Sequence, residues 1–138
     1  MRVSQRLDHA MRFMVALARL PEGESAGAGE VAEAVGIPRR FGEQQATALA
    51  RAGLVVTRRG SGGGCALARS AAEITALDVF AAIEGDALDI PRVAASATSG
   101  LWVDVARTLE ERLAATTLED LAREQAALDD AAEVMYFI

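Results

Sequence analysis

Two arginines at the start of a predicted helix are the first residues in this chain that suggest chemistry. Arg39 and Arg40 directly follow Pro38, a residue that favours the first turn of a helix. A guanidinium group is always charged and donates paired hydrogen bonds to phosphate oxygens or to the edges of bases. The sequence therefore predicts contacts from both arginines to phosphate or base edges, with solvated surface arginines as the alternative.

A second group of polar residues lies in a glycine-rich loop further along the chain. Arg58 and Arg59 follow a run of apolar and β-branched residues, and Ser61 stands among the glycines that come next. Apolar segments on both sides of the loop predict two short strands, so residues 54–68 are expected to form a β wing. Arginine at the tip of such a wing suits a phosphate or a narrow minor groove.

The elements that must position these side chains follow in a recognisable order. Residues 29–35 predict a short helix that ends at Gly36, and residues 38–51 predict a longer helix that ends at Gly53. A short helix, a tight turn, a longer helix and a two-stranded wing together make a winged helix-turn-helix. This arrangement is a device for holding duplex DNA, with the longer helix as its recognition helix.

The remaining sequence predicts helices, which makes the fold mainly α with a small β wing. From Leu101 onward the apolar residues step by four, a pattern typical of a long amphipathic helix. The predicted elements outside the DNA-holding unit are a helix over 4–20, a helix over 75–85, a linker over 86–100, the long helix from 101 and a last helix over 117–128. We therefore expect a DNA-binding head over 1–85, the linker, and a region of two helices over 101–138.

Length, composition and charge restrict the class of protein. The 138 residues carry a net charge of −6, yet residues 1–70 hold ten arginines against six acidic residues, and residues 71–138 hold four against fourteen. A basic head beside an acidic body is a familiar layout for DNA-binding proteins, because phosphate contacts need only local positive potential. No apolar run approaches the ~20 residues of a membrane span, and no signal-peptide pattern is present, so a cytoplasmic protein without membrane contact is expected.

No set of residues in the sequence predicts an enzyme. There is no Ser/His/Asp or Cys/His combination, and the glycines at 62–64 are not followed by the Gly-Lys-Ser/Thr of a phosphate loop. The single cysteine also excludes a disulfide framework within one chain.

Motifs along nearly the whole chain resemble one family, the Rrf-type winged-helix regulators, which includes the iron–sulfur cluster regulator and the nitric-oxide-sensitive repressor. Each motif is weak alone, but together their order and spacing are specific. The segments that carry the resemblance are 8–12, 31–38, 52–60, 62–64, 73–75, 78–79, 84–85, 101–102 and 117–121.

The resemblance implies a homodimer built on the long helix, whose two winged heads bind a palindromic operator in double-stranded DNA. The half-sites would then lie about one helical turn (~34 Å) or a multiple apart. The resemblance also suggests Glu43, Gln44 and Arg59 as DNA-contacting positions. Their chemistry agrees in part, since glutamine pairs with adenine and glutamate accepts a hydrogen bond from cytosine.

The sequence departs from the family at the site of its metal cofactor. Many members hold an iron–sulfur cluster with three cysteines in the loop before the dimerisation helix, whereas residues 86–100 contain none. A cysteine-ligated cluster is therefore not expected, and no cofactor is predicted. Cys65 lies in the wing instead, where it is either a thiol sensor, which requires an accessible low-pKa thiolate, or a small packed apolar residue.

Three other residues are candidates for sensing an effector. Asp8 and His9 in the first helix could contribute to a metal site across the dimer, as a non-cysteine redox or metal sensor would need, but too few further ligands are nearby. The alternative is that both are surface polar residues. Trp102 is expected to pack at the dimer core, or else to line an effector pocket between the linker and the long helix.

The recognition helix itself also departs from the family pattern, because Gly42 and Gln45 replace residues that are generally apolar. Glycine inside a helix costs roughly 1 kcal/mol relative to alanine, and a core-facing glutamine needs a partner.

We expect a homodimeric repressor that responds to a small molecule, to a protein or to nothing beyond its own abundance. The alternative is a winged-helix dimer that has lost operator binding and works as a protein-interaction module.

Overall fold

A computed structural model of the chain describes residues 2–58, 63–85 and 95–136. Within these ranges the chain forms a mainly helical fold with one small antiparallel sheet, in which Val55 lies opposite Leu67. The elements in chain order are α1 (Gln5–Ala18), α2 (Ala28–Ala34), α3 (Arg39–Arg51), β1 (Val55–Arg58), β2 (Gly64–Leu67), α4 (Ala76–Glu84), α5 (Ala97–Ala114) and α6 (Leu118–Tyr136). The predicted fold class, a winged helix-turn-helix followed by long helices, is confirmed.

The core forms around α1, which the wing and the other helices of the head surround. The hydroxyl of Ser4 accepts a hydrogen bond from the backbone N–H of Leu7 and so begins the helix, as the sequence predicts. Apolar residues recur along one face of the helix and are buried, because that face meets the rest of the head. The largest fully buried side chains of the core are Phe13, Met14, Leu49, Ile74, Val79 and Leu118.

The turn between α2 and α3 depends on two glycines with different roles. Gly36 has a φ of 73°, a conformation that side chains rarely adopt, and it turns the chain toward the recognition helix α3. At Gly42 a Cβ atom would come within 2.5 Å of the Cβ of Ala32 and 2.8 Å of the backbone oxygen of Ala28. Gly42 is therefore not a weak point of α3, as the sequence suggested, but the residue that lets α2 and α3 pack closely.

The last two helices are longer than the sequence predicts. α5 begins at Ala97, inside the predicted linker of 86–100, and α6 continues to Tyr136, eight residues past its predicted end. No glycine or proline interrupts residues 118–136, so the helix has no local reason to stop earlier. Thr117 and Asp120 form the N-terminal capping pair of α6. The backbone N–H of Thr117 donates to the Asp120 carboxylate at 3.0 Å, and the backbone N–H of Asp120 donates to the Thr117 hydroxyl at 3.1 Å.

Helix α6 packs along α1 and joins the end of the chain to the head. Leu118 at its start is fully buried, and further along the helix the carboxylate of Asp129 accepts a hydrogen bond from Arg19 of α1 at 2.7 Å. Of the helices in the described ranges, none is both long and apolar enough to span a bilayer.

Candidate nucleic-acid interface

The recognition helix α3 presents its polar residues on one side and packs with the other. Its buried residues are Gly42, Gln45, Ala46 and Leu49, which face α2 and the core. The sequence-predicted contact residues that lie in α3 are all exposed, namely Arg39, Arg40, Glu43 and Gln44. This exposed side can therefore approach a groove while the other side holds the helix on the head.

The two arginines at the start of α3 differ in their contacts. Arg39 forms ion pairs with Glu33 of α2 at 3.5 Å and with Glu43 one turn further at 3.8 Å. Its side chain also lies across Gly29, where a Cβ atom would meet the Cγ of Arg39 at 2.5 Å. Among the described residues Arg40 has no hydrogen bond or ion pair, so its guanidinium is available to an anion.

Thr47 belongs to the same exposed side, although the sequence analysis did not single it out. It lies one turn beyond Glu43, and its hydroxyl donates a hydrogen bond to the backbone oxygen of Glu43. A threonine side chain can contact any base pair in the major groove. The helical spacing of 40, 43, 44 and 47 is the signal that identifies it.

The wing is anchored to the head by a third backbone segment. The N–H of Cys65 donates to the oxygen of Ala26 at 2.7 Å, and the N–H of Ala26 donates to the oxygen of Cys65 at 3.0 Å. Arg58 ends β1 opposite Gly64 and is exposed. The wing therefore places Arg58 at its outer end, whereas the other two predicted wing contacts, Arg59 and Ser61, lie outside the described residues.

Cys65 has neither property that a thiol sensor requires. Its side chain is 1% exposed, and its thiol donates a hydrogen bond to the backbone oxygen of Ala26 at 3.3 Å. Burial raises the pKa of the Cys65 thiol above its usual value. The residue is a small packed side chain that helps hold the wing, which corrects its place among the candidate sensors.

His9 is not a surface residue, contrary to the alternative that the sequence favoured. It is 8% exposed, and its ring meets the ring of Phe41 in the first turn of α3 edge-on. Its Nδ1 atom is buried without a hydrogen-bond partner in the described part of the chain. Asp8, the next residue, is exposed and pairs with Arg12 at 2.9 Å instead. The two candidate ligands therefore serve different contacts.

The donors available in this chain do not fit a cysteine-ligated iron centre. The chain has one cysteine, buried in the wing, and one histidine, packed against the recognition helix. Across residues 2–58, 63–85 and 95–136, no group of three or more His, Cys, Asp or Glu side chains is placed to hold a metal ion.

Helix α5 carries an exposed apolar surface that nothing in the described chain covers. Trp102 is 47% exposed and is not among the residues that line the cleft of about 750 Å³ between α1 and α6. The large apolar residues exposed beside it are Leu101, Val103 and Val105. Large apolar side chains exposed close together in this way are typical of an interface with another protein.

Comparisons with known proteins agree with this geometry. Residues 3–124 match the Rrf2 family, described as "Iron-dependent Transcriptional regulator". Protein Rv1287 of Mycobacterium tuberculosis is 31% identical over 131 residues, which cover 88% of this chain and 81% of that protein. The HTH-type transcriptional regulator CymR of Bacillus subtilis is 29% identical over 124 residues, which cover 88% of this chain and 90% of CymR.

Solved structures give the same result for the fold. The structure of CymR, titled the global cysteine regulator of B. subtilis, superposes with a TM-score of 0.78 at 28% identity and covers 90% of this chain and 98% of CymR. T. potens IscR superposes with a TM-score of 0.78 at 29% identity and covers 91% of this chain and 88% of IscR.

Proposed function

The chain belongs to the Rrf2 family of transcriptional regulators, and from that premise we propose that it is a homodimeric repressor that binds a palindromic operator. The observation that carries the proposal is the division of α3 into a packed side and an exposed polar side. Arg40, Glu43 and Gln44 all lie on the exposed side, where the recognition helix of a winged helix-turn-helix meets the major groove.

The contacts divide into those that read bases and those that hold phosphates. Gln44 suits bidentate pairing with adenine, and Glu43 suits a hydrogen bond from cytosine. Arg40 on α3 and Arg58 on the wing suit phosphate groups, which fix the register but carry no sequence information. Arg39 joins them once a phosphate displaces its exposed acidic partners, since exposed ion pairs contribute only about 0–1 kcal/mol.

The homodimer part of the proposal rests on α5. A helix that leaves Leu101, Trp102 and Val105 exposed is unfavourable in water, and burying them stabilises an assembly by roughly 25 cal/mol per Å² of apolar surface. A two-fold axis that pairs the same surface of two copies would present two heads to two half-sites of one palindrome. The protein would act on chromosomal DNA and hence in the cytoplasm.

The proposed regulator does not sense through a cysteine-ligated cluster. The donor set argues for this, because the one cysteine is a buried thiol in the wing and residues 86–100 contain no cysteine. The signal is instead a small molecule, a protein partner or nothing beyond the abundance of the protein itself. The packing of α2 on α3 accounts for Gly42, so this glycine no longer favours the interaction-module alternative.

The proposal is tested by selecting binding sites from genomic fragments with the native protein and three variants. Gln44→Ala should change the recovered sequence at one position of each half-site, whereas Arg58→Ala should weaken binding to all sites alike. Arg123→Ala on α6 removes the same charge far from α3 and the wing and should change neither. A native protein that enriches no sequence at low salt would contradict operator binding and favour the interaction module.

A further inference from the structure

Thr47 lies at the middle of the exposed side of α3. Successive residues of a helix are about 100° apart, so Thr47 lies about 40° from Glu43 on one side and about 60° from Gln44 on the other. The fully buried Leu49 is about 160° away, on nearly the opposite side of the helix. The side chain of Thr47 is itself exposed. A groove that receives both Glu43 and Gln44 therefore also receives Thr47.

The hydroxyl group of Thr47 is already used within α3. It donates to the backbone oxygen of Glu43 at 3.3 Å, a bond to the preceding turn that threonine commonly forms in helices. A hydroxyl group has only one proton to donate. While this bond holds, Thr47 therefore cannot donate a hydrogen bond to an acceptor atom on a base.

The methyl group is then the part of Thr47 that suits contact with a base. Because the substituents of Cβ are staggered, the bond that fixes the hydroxyl also fixes the methyl group in one position. In the major groove a thymine presents a 5-methyl group, which is a natural apolar partner for a threonine methyl group. We propose that Thr47 selects a thymine in each half-site through contact between these two methyl groups. The inference rests on the proposed operator binding and adds a specificity-determining residue to it.

Three neighbouring residues of α3 thus recognise three different features of bases. Gln44 suits adenine and Glu43 suits the amino group of cytosine, whereas Thr47 supplies an apolar contact that neither of them makes. Along the helix axis Thr47 is about 4.5 Å from Gln44, little more than the ~3.4 Å step between base pairs. The selected thymine is therefore expected within about two base pairs of the position that Gln44 recognises.

Deoxyuridine tests the contact, because it differs from thymidine only in lacking the 5-methyl group. The probe is the duplex that the native full-length protein selects from genomic fragments, with its thymines replaced by uracil one position at a time in both half-sites. Fluorescence anisotropy measures each affinity. Replacing the thymine that Thr47 contacts should weaken binding about fourfold for each half-site, which is the effect of one buried methyl group.

Two substitutions separate the methyl group of Thr47 from its hydroxyl group. Thr47→Ser removes the methyl group and keeps the hydroxyl, so this variant should bind the thymine duplex and the uracil duplex equally well. Thr47→Val keeps a methyl group in nearly the same shape and removes the hydroxyl, so the ratio of its two affinities should remain that of the native protein.

Thr108→Ser is the matched control for the loss of a methyl group from a helical threonine. Thr108 lies on α5, outside the DNA-facing surface, and its hydroxyl donates to the backbone oxygen of Asp104 at 3.0 Å in the same way as that of Thr47. The ratio of affinities for the two duplexes should be the same in Thr108→Ser as in the native protein. Circular dichroism of each variant checks that it is folded.

The outcomes distinguish this inference from the proposed function. A native protein that binds no duplex would overturn both. A selected duplex without thymine in its half-sites, or one bound equally well with uracil at every position, would overturn only the methyl contact. A Thr47→Ser variant that keeps the native ratio would also overturn the methyl contact. Loss of the ratio in Thr47→Val but not in Thr47→Ser would assign the recognition to the hydroxyl group instead.

Discussion

The imidazole ring of His9 meets the ring of Phe41 edge-on, with the ring centroids 4.8 Å apart and the ring planes at 86°. His9 belongs to α1 and Phe41 to the first turn of α3, so this pair joins the central helix of the core to the proposed recognition helix. Edge-to-face ring pairs contribute about 0.5–1.5 kcal/mol beyond the apolar area they bury. The pair therefore helps to fix the position of α3 on the head.

Replacing His9 separates the contribution of the ring from the cost of its buried nitrogen. Because Nδ1 is buried without a partner among the described residues, His9→Phe keeps the ring contact and removes a polar atom whose burial costs about 1–3 kcal/mol. We expect His9→Phe to raise the free energy of unfolding by about 1 kcal/mol and His9→Ala to lower it by about 2 kcal/mol. Urea titration followed by circular dichroism measures both. A stabilised His9→Ala variant would show that the ring contact contributes nothing.

Gly42→Ala should destabilise the protein although alanine favours helices. The added Cβ would lie 2.5 Å from the Cβ of Ala32 and 2.8 Å from the oxygen of Ala28, so α2 and α3 must separate. Overpacking of this kind costs typically about 1–3 kcal/mol, more than the ~1 kcal/mol gained in helix propensity. Gly100→Ala in α5 is the matched control, since a Cβ there meets nothing within 4 Å and should stabilise the helix. Thermal unfolding of both variants measures the difference, and a Gly42→Ala variant as stable as Gly100→Ala would contradict the packing argument.

The sequence predicts those features that depend on neighbouring residues and misses those that depend on distant ones. A spacing of three between Thr75 and Asp78 at the start of the predicted helix 75–85 is typical of a capping pair, and the structure shows its reciprocal hydrogen bonds of 2.9 and 3.2 Å. The role of Gly42, by contrast, depends on Ala28 and Ala32 in another helix. Only the packing of α2 on α3 reveals it.

The burial of His9 is a second feature set by distant residues. It depends on Phe41, 32 positions further along the chain, and the histidine itself carries no local signal of that contact. The fully buried Phe13, one helical turn away at i+4, is the one local hint that His9 lies near the core face of α1. The polar surface of α3 was predictable because helical spacing alone brings its residues together.

The raised pKa of Cys65 makes stability depend on pH at the alkaline end. The pKa of the thiol is higher in the folded state than in the unfolded state, so the buried thiol contributes its full stability below the unfolded-state pKa. That contribution is lost as pH rises through the folded-state pKa. We expect the free energy of unfolding of the native protein to fall more between pH 8 and about 10 than that of Cys65→Ala. Urea titrations at a series of pH values measure both curves. Parallel curves would show that the thiol is not buried in solution.

Thiol reactivity gives an independent measure of the same burial. With 1% exposure and a protonated thiol, Cys65 should react with Ellman's reagent only as fast as the protein opens. Reaction in native buffer should be slower by orders of magnitude than in 6 M guanidinium chloride, where the denaturant exposes the thiol. A native rate close to that of free cysteine would restore Cys65 as a candidate sensor.

Arg40→Ala should weaken operator binding, and the affinity of the variant should depend less on salt concentration than that of the native protein. Among the described residues Arg40 has no ion pair to lose, so the substitution removes a phosphate contact and little else. Each lost phosphate contact reduces the slope of log affinity against log salt by about 0.9. Arg39→Ala should change the slope less, because binding by Arg39 must first displace Glu33 and Glu43. Fluorescence anisotropy at several salt concentrations measures both slopes, and equal slopes for native protein and Arg40→Ala would remove Arg40 from the interface.

Trp102→Asp should dissociate the proposed dimer and weaken operator binding together. Trp102 is 47% exposed on α5, and an interface that buries it would also bury the introduced carboxylate without a partner, which is costly. Sedimentation velocity should show monomers of the variant at concentrations where the native protein is dimeric. Arg107→Asp, also on α5 but polar in the native chain, is a control for the effect of added negative charge.

Because one head makes half of the contacts, the monomeric Trp102→Asp variant should lose most of its affinity for the full palindrome but retain weak binding to a half-site. A Trp102→Asp protein that sediments as a dimer would show that α5 is not the pairing surface.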